Sequence, residues 1–162
     1  MADEEAGLSA PSGSASPGPG PGARRAWDSF SEAESMELLA SAGIKLGRLV
    51  YNGRYGPTAL PVAYTIDAGS IVVGTWDPVI DQDLRTGIEN AEYQVAVEAD
   101  QIDLEAREGW TVLVYGAAHH MDTEAERAPF AGAGLEPWLE EIPAHFIRVT
   151  PTHIWGGRAR RA

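Results

Sequence analysis

Apolar and polar residues follow one another along this chain in patterns that are typical of β-strands. Val95–Asp100 alternates apolar and acidic side chains, which indicates a strand with one buried face. Trp110–His120 begins at a Gly-Trp corner and is continuously apolar through Val114, which indicates a more deeply buried strand. A polar connector, Gln101–Gly109, separates the two runs, so we expect them to form a pair of strands.

The preceding part of the chain predicts a hairpin-rich sheet. Strands are predicted at Leu46–Tyr51, Thr58–Ile66 and Ser70–Thr75. Asn52-Gly53 lies between the first two strands and is a strong hairpin signal, because both residues tolerate positive φ. Asp67–Gly69 is the expected turn between the second and third strands.

Three helices are predicted beside these strands. Ser31 and Glu34 form an S-x-x-E capping box at the start of the first helix, and Gly43 is a plausible stop. A short second helix is expected at Asp81–Arg85 and a third at Thr123–Phe130.

The last predicted strand is His145–Thr150, which ends at Pro151. Closely spaced antiparallel strands with few helices favour a small barrel, because closure removes exposed sheet edges. The expected fold class is therefore mainly β, with six antiparallel strands and a few short helices.

Composition divides the chain into two parts. Residues 1–26 are rich in Ala, Gly, Pro and Ser, and such a segment cannot bury enough apolar surface to offset its ordering entropy. We therefore predict a disordered tail at 1–26 and one domain at 27–162. The start MADEEAG lacks the apolar core of a signal peptide, and no apolar run approaches the roughly 18 residues of a membrane span, so a cytoplasmic protein is expected.

Charge and cysteine content argue against several function classes. The chain has no cysteine, which excludes disulfides, thiol catalysis and cysteine-ligated metal sites. Its net charge of −12 argues against nucleic acid as a partner, because phosphate binding needs clustered Lys and Arg. The four histidines lack metal-ligand spacing such as HExxH, so no metal site is predicted.

Three segments in order resemble the pyridoxamine 5′-phosphate oxidase-like split barrel, the FMN-binding superfamily, especially its actinobacterial members. They are GRLVYNGRYGPTALPVAYTIDAGSIVVGT, VAVEADQIDLEAREGWTVLVYGAAHHM and PWLEEIPAHFIRVTPTHIWGGRARR. The resemblance covers residues 34–160. It implies a six-stranded antiparallel split β-barrel of Greek-key type. It also implies a homodimer with FMN at the subunit interface, across the strands between Pro61 and Thr75.

The same resemblance suggests which residues contact the cofactor. Pro61, Val62 and Tyr64 match a P-V-x-Y strand that packs against the isoalloxazine ring. Thr75 matches a threonine of the family whose hydroxyl can hydrogen-bond to the FMN phosphate. The further candidates for cofactor contact are Trp76, Arg85, Trp110, Trp155 and Arg158. Ordinary structural roles, in the core, in a turn or in a basic tail, are the alternatives for these side chains.

The segment around Thr75 departs from the family's pattern. Many relatives carry a basic residue just before this Thr and a Lys shortly after it, whereas this chain has Gly74 before it and Asp77 after it. A dianionic phosphate needs cationic donors or the amides of a helix start. Arg85 is the nearest cation in sequence, and Arg48 and Arg54 are other possibilities. Either the phosphate is held differently, or the pocket serves another ligand.

Two groups of residues are candidates for acid–base catalysis. Glu98 and Asp100 lie two residues apart on one face of a strand, and a buried carboxylate pair can transfer protons. His119 and His120 are adjacent in a strand, so they point to opposite faces and only one can face a pocket. That histidine is a candidate acid–base group or haem ligand. Solvated or ion-paired side chains are the alternative in both cases.

These features favour an FMN-dependent oxidoreductase or reductase that acts on a small organic or aromatic substrate at a homodimer interface. One alternative is a cofactor-free member, which has lost FMN and binds or converts a small molecule. Another is haem binding through His119 or His120, and a deazaflavin is a further cofactor option. The expected partners are a second copy and a small-molecule substrate, with no nucleic acid and no membrane.

Overall fold

A computed structural model describes residues 27–75, 78–85, 92–133, 135 and 145–159. The tail predicted at residues 1–26 and the candidate Trp76 lie outside these residues. The strands are β1 Trp27–Ser29, β2 Leu46–Gly53, β3 Gly56–Asp67, β4 Ser70–Thr75, β5 Tyr93–Asp103, β6 Glu108–His120 and β7 His145–Ala159. The helices are α1 Glu32–Ser41, α2 Pro78–Asp83 and α3 Glu124–Arg127, and a 3-10 turn follows at Ala128–Phe130.

Six of the strands close into an antiparallel barrel. The hydrogen-bonded order is β7-β4-β3-β2-β5-β6, and β6 pairs with β7 again to complete the ring. The spatial order β5-β2-β3-β4 is that of a Greek key. The short β1 pairs with β7 and is additional to the six predicted strands. The predicted mainly β split barrel is therefore confirmed.

The barrel interior is filled by side chains that alternate along each strand. Leu49, Val62, Val97 and Val112 are completely or almost completely buried there. Helix α1 contributes Leu39 to the same core. Its predicted capping box is present, because Ser31 Oγ accepts from the Glu34 amide while the Glu34 side chain accepts from the Ser31 amide.

A second, smaller core lies on the other face of β3 and β4. Val72 stands between Ile71 and Val73, which both face the interior, so its side chain faces outward. Phe130 and Phe146 pack in the same outer cluster as Val72. The 3-10 turn therefore covers one side of the barrel. No helix among the described residues is long and apolar enough to cross a membrane.

Strand β7 differs most from its prediction. It continues through Pro151 to Ala159 instead of ending at Pro151. The register with β6 shifts between Tyr115 and Gly116, so Thr152 is an extra residue on β7. Pro151 has no backbone amide hydrogen to donate. A bulge is one of the few places in a strand where such a residue is accepted, which explains how β7 continues past it.

The β5–β6 hairpin is also longer than expected. Gln101–Asp103 pairs with Glu108–Trp110, so the predicted connector Gln101–Gly109 is mostly strand. The turn itself is confined to Leu104–Arg107, where Arg107 adopts a φ of 54°. Helix α2 likewise begins and ends earlier than the predicted Asp81–Arg85.

Candidate functional site

Cross-strand pairing places five residues in one row on the outside of the barrel. The paired residues, from β3 to β7, are Pro61, Arg48, Glu98, Leu113 and Trp155. Directly paired residues of a sheet present their side chains on the same face. Three of the candidates named from the sequence, Pro61, Glu98 and Trp155, therefore share this row, and Arg48 stands between the first two.

Arg48 is held by two carboxylates of β5. Its Nη1 lies 3.2 Å from Glu98 Oε2 and 3.8 Å from Asp100 Oδ2. Thr111 Oγ1 donates to the other Glu98 oxygen at 3.2 Å. Burial raises the pKa of Glu98, and the charge of Asp100 raises it further, against the opposing hydrogen bonds from Arg48 and Thr111. Glu98 is thus a partly buried carboxyl group that takes up a proton more readily than an exposed one.

A cleft of about 340 Å³ adjoins this cluster. Its lining includes Ile44, Leu46, Arg48, Pro61, Asp100 and Trp110. The loop after α1 forms one wall through Ala42 and Gly43, and Gly47 of β2 forms part of the floor. A Cβ at Gly47 would lie 2.6 Å from the backbone oxygen of Glu98, so glycine allows β2 to approach β5 closely here.

Val62 and Tyr64 point away from the outer face and into the barrel core. Val62 is completely buried, and the Tyr64 hydroxyl donates to the Leu39 carbonyl at 3.2 Å. Burial raises the pKa of Tyr64 to about 12. Their side chains hold β3 and α1 in place, so any contact they make with a ligand on the outer face is through the backbone.

Thr75 lies at the end of β4 and is completely buried. Its Oγ1 has no hydrogen-bond partner among the described residues. A buried hydroxyl without a partner costs about 1–3 kcal/mol of stability, and such groups are usually satisfied by a ligand or another polar group. This is the position to which the sequence resemblance assigned a phosphate contact.

The arginines closest in sequence to this region are already paired with carboxylates. Arg85 meets Asp122 through two contacts, with Nη2 2.7 Å from Oδ1 and Nη1 3.2 Å from Oδ2. Arg54 Nη2 lies 2.7 Å from Asp83 Oδ1. A phosphate that uses either guanidinium has to compete with a carboxylate.

The two candidate histidines, His119 and His120, lie away from Glu98 and its partner Arg48. His119 is six residues along β6 from Leu113, the cross-strand partner of Glu98, which corresponds to about 20 Å of strand. Its Nε2 lies 3.0 Å from Glu126 Oε1, and its Nδ1 lies 3.6 Å from Glu92 Oε1. His120 points to the opposite face, and its Nε2 is buried. The candidates Glu98, His119 and His120 therefore do not form one catalytic group.

The C-terminal half of β7 makes two contacts with aromatic rings of the N-terminal segment. The ring of Trp155 stacks on that of Trp27, and the Arg158 guanidinium lies over the Phe30 ring at 5.5 Å from its centroid. Trp110 packs against the barrel core and also borders the cleft. The sequence named Arg48 only as a possible cation for the phosphate and did not predict its contact with Glu98, nor that of Trp27 with Trp155. Only strand register shows which residues meet across β1, β2, β5 and β7.

The comparison with known families decides the identity. A family described as pyridoxamine 5′-phosphate oxidase matches residues 31–158. The chain belongs to this family. An uncharacterised protein of Mycobacterium tuberculosis is 29% identical to this chain over 126 residues, which are 77% of this chain and 80% of that protein.

Solved structures share the same barrel. A FAD-binding protein from Mycobacterium smegmatis is 29% identical with a TM-score of 0.62, covering 82% of this chain and 100% of that one. A FAD-binding protein from Mesorhizobium loti, 17% identical, has a TM-score of 0.65 and covers 83% of this chain and 98% of that one. The second likeness shows the fold alone. Family and fold together identify a split barrel of the pyridoxamine 5′-phosphate oxidase family.

Proposed function

We propose that this protein is a flavin-dependent oxidoreductase of small organic substrates that binds FMN along β3 and the end of β4. The observation that carries the proposal is the completely buried, unpartnered Thr75 hydroxyl among the described residues. It lies where the family pattern places a phosphate contact. The similarity to a FAD-binding protein at 29% identity supports a flavin as the ligand.

We assign the phosphate to Thr75 and Arg85. Arg85 follows α2, which begins shortly after Thr75. Its partner Asp122 has a side chain that is 62% exposed, and an exposed ion pair contributes only about 0–1 kcal/mol. In this proposal the doubly charged phosphate competes with the Asp122 carboxylate for Arg85, and Thr75 donates a further hydrogen bond.

Bound flavin would supply the two-electron redox chemistry. The protein's own part in proton transfer is assigned to Glu98. It stands in the same outer row as Pro61, with Arg48 between them. Burial raises the pKa of this carboxyl group, which is held by Arg48 and Thr111, so it takes up a proton more readily than an exposed carboxyl group does.

A second copy of the chain is proposed to cover the outer row. Trp155 and Tyr115 of this face are 39% and 42% exposed, and Leu46 at the cleft is 43% exposed. Exposed large apolar side chains that lie together mark interaction surfaces. Sedimentation of the wild-type protein should give a dimer, and Tyr115→Arg should shift it toward the monomer. A wild-type monomer at all concentrations would contradict this assignment.

Flavin binding tests the central proposal. The purified full-length protein is titrated with FMN and with riboflavin, which lacks the phosphate, and flavin fluorescence is followed. FMN should bind more tightly than riboflavin, and Thr75→Val should weaken FMN binding about fivefold or more while leaving riboflavin binding unchanged. Thr75→Ser is the matched control, since it keeps the hydroxyl. If neither flavin binds, the proposal is wrong.

A cofactor-free role is the second candidate. It is supported by the pairing of Arg48, Arg54 and Arg85 with carboxylates, which leaves these cations neutralised. A colourless protein that binds no FMN, FAD or deazaflavin, but still binds small organic molecules, would favour this role over the first.

A further inference from the structure

We propose that the cleft beside Pro61 is a subsite for an organic cation, namely a small arylalkylamine that is protonated at neutral pH. The cleft is the one lined by Ile44, Leu46, Arg48, Asp100 and Trp110. The inference rests on the proposed function in one respect, because Pro61 also belongs to the strand on which the flavin is placed. It deepens that function by naming the class of substrate.

The walls of the cleft suit a small ring. Its volume of about 340 Å³ is at the lower end of the range of small-molecule sites, roughly 300–1,000 Å³. Trp110, Pro61 and Leu46 supply apolar surface. An indole face also attracts cations, since the ring quadrupole is negative above and below its plane. Shape and lining therefore favour an aromatic guest that carries a positive group.

Charge in the cleft favours a cation over an anion. Arg48 is the single cation among the described residues that line the cleft. Glu98 and Asp100 both contact Arg48, and the three side chains together carry one net negative charge when all are ionised. An incoming anion meets an Arg48 guanidinium that already pairs with Glu98 through its Nη1. An incoming ammonium can instead pair with Asp100, whose Arg48 contact is long at 3.8 Å and whose side chain is 35% exposed.

The end of α1 adds negative potential of a different origin. The helix ends at Ser41, and the next residues, Ala42 and Gly43, line the cleft. The last carbonyls of a helix carry a partial negative charge, and α1 has no basic residue in its last turn to balance it. The carboxylates and the carbonyl end of α1 thus both attract a bound cation.

Three phenyl compounds of similar size but different charge test the inference. Phenethylamine, 2-phenylethanol and phenylacetate are titrated by calorimetry into the full-length protein, with and without FMN. Phenethylamine should bind at least about fivefold more tightly than phenylacetate, with the alcohol between them. Asp100→Asn should reduce this preference by about threefold or more. Glu105→Gln, which removes the same charge from the exposed β5–β6 turn, should leave it unchanged.

The outcomes separate this inference from the flavin proposal. If FMN binds but phenethylamine binds no better than 2-phenylethanol or phenylacetate, the cation subsite is wrong and the flavin proposal stands. If phenethylamine shows the expected preference but no flavin binds, the subsite stands without the flavin. If none of the three compounds binds, or if Asp100→Asn and Glu105→Gln have equal effects, the subsite is overturned.

Discussion

The indole rings of Trp27 and Trp155 are stacked, with centroids 5.4 Å apart and planes that differ by 12°. This contact joins β1 to the outer row of the barrel. Gly157 allows it, since a Cβ at that position would collide with the Trp27 ring. The Gly-Gly pair after Trp155 therefore has a packing role, because a Cβ at Gly156 would also meet Ser35 Oγ of α1 at 2.6 Å.

Removing the Trp27 ring should destabilise the protein. Trp27→Ala is expected to lower the free energy of unfolding by about 1–2 kcal/mol, because it removes a stacked aromatic contact and its buried area. Urea denaturation followed by circular dichroism measures the change. Trp27→Phe keeps an aromatic ring and should recover part of the loss. An Ala variant as stable as the wild type would show that β1 is not held by this stack.

Gly47→Ala and Gly43→Ala should differ sharply although both border the cleft. The new methyl group at Gly47 meets a backbone oxygen at 2.6 Å, so we expect a loss of about 1–3 kcal/mol in unfolding free energy. A methyl group at Gly43 would meet nothing within 4 Å beyond its chain neighbours, so Ala should be neutral or slightly stabilising there. Thermal unfolding compares the two variants, and similar melting temperatures would contradict the close approach of β2 and β5.

Thr75→Val should stabilise the flavin-free protein. The substitution replaces a buried hydroxyl without a described partner by a methyl group of similar shape, and we expect a gain of about 1 kcal/mol. Chemical denaturation of flavin-free samples measures it. The gain should shrink or disappear when FMN is present in excess, because the wild type binds FMN more tightly and is therefore stabilised more by it than the variant. A loss of stability without FMN would indicate that Thr75 donates a hydrogen bond within the folded protein.

The pKa of Glu98 should move in opposite directions in two variants. Burial raises it most, and Asp100 adds to the effect, while Arg48 opposes both. Asp100→Asn should therefore lower the pKa of Glu98, and Arg48→Met should raise it further. Carbon-13 NMR titration of the Glu98 carboxyl group measures both. Shifts of the same sign in the two variants would be incompatible with the contacts described.

Acid should weaken the start of α3. Hydrogen bonds from Thr123 and His119 lower the pKa of Glu126 from 4.5 to about 2. A carboxyl group whose pKa is lowered in the folded state stabilises that state at pH values above its ordinary pKa. This contribution is lost as the pH falls from about 4.5 to about 2. By NMR titration, Thr123→Ala should raise the pKa of Glu126 more than His119→Gln does. The reverse order would make His119 the main partner.

The sequence predicted the strands whose signals are local. The alternation in Val95–Asp100 required only neighbouring residues, and this segment lies in β5. The hairpin that Asn52-Gly53 signals is present, but these two residues end β2 and the turn lies at Arg54–Tyr55. The strand β1 has only three residues beside a tail of low complexity, so no periodicity marks it. It pairs with β7 and stacks Trp27 on Trp155, and both contacts join residues far apart in the sequence.

The candidate site was harder to predict because it depends on register. Glu98 and Asp100 were correctly placed on one face from their spacing alone, as the shared contact with Arg48 shows. Arg48 stands between Glu98 and Pro61 because β2 pairs with both β3 and β5. No short-range pattern carries this information.

The bulged strand β7 has a consequence for how the protein is made. It follows the other six strands in the chain, yet it pairs with β1, β4 and β6. The ring therefore stays open during synthesis until β7 has left the ribosome, with the edges of β4 and β6 unpaired. Such non-local closure is slow, and open edges invite association with other chains. Substitutions in β7 should accordingly reduce the yield of folded protein in cells more than their effect on equilibrium stability suggests.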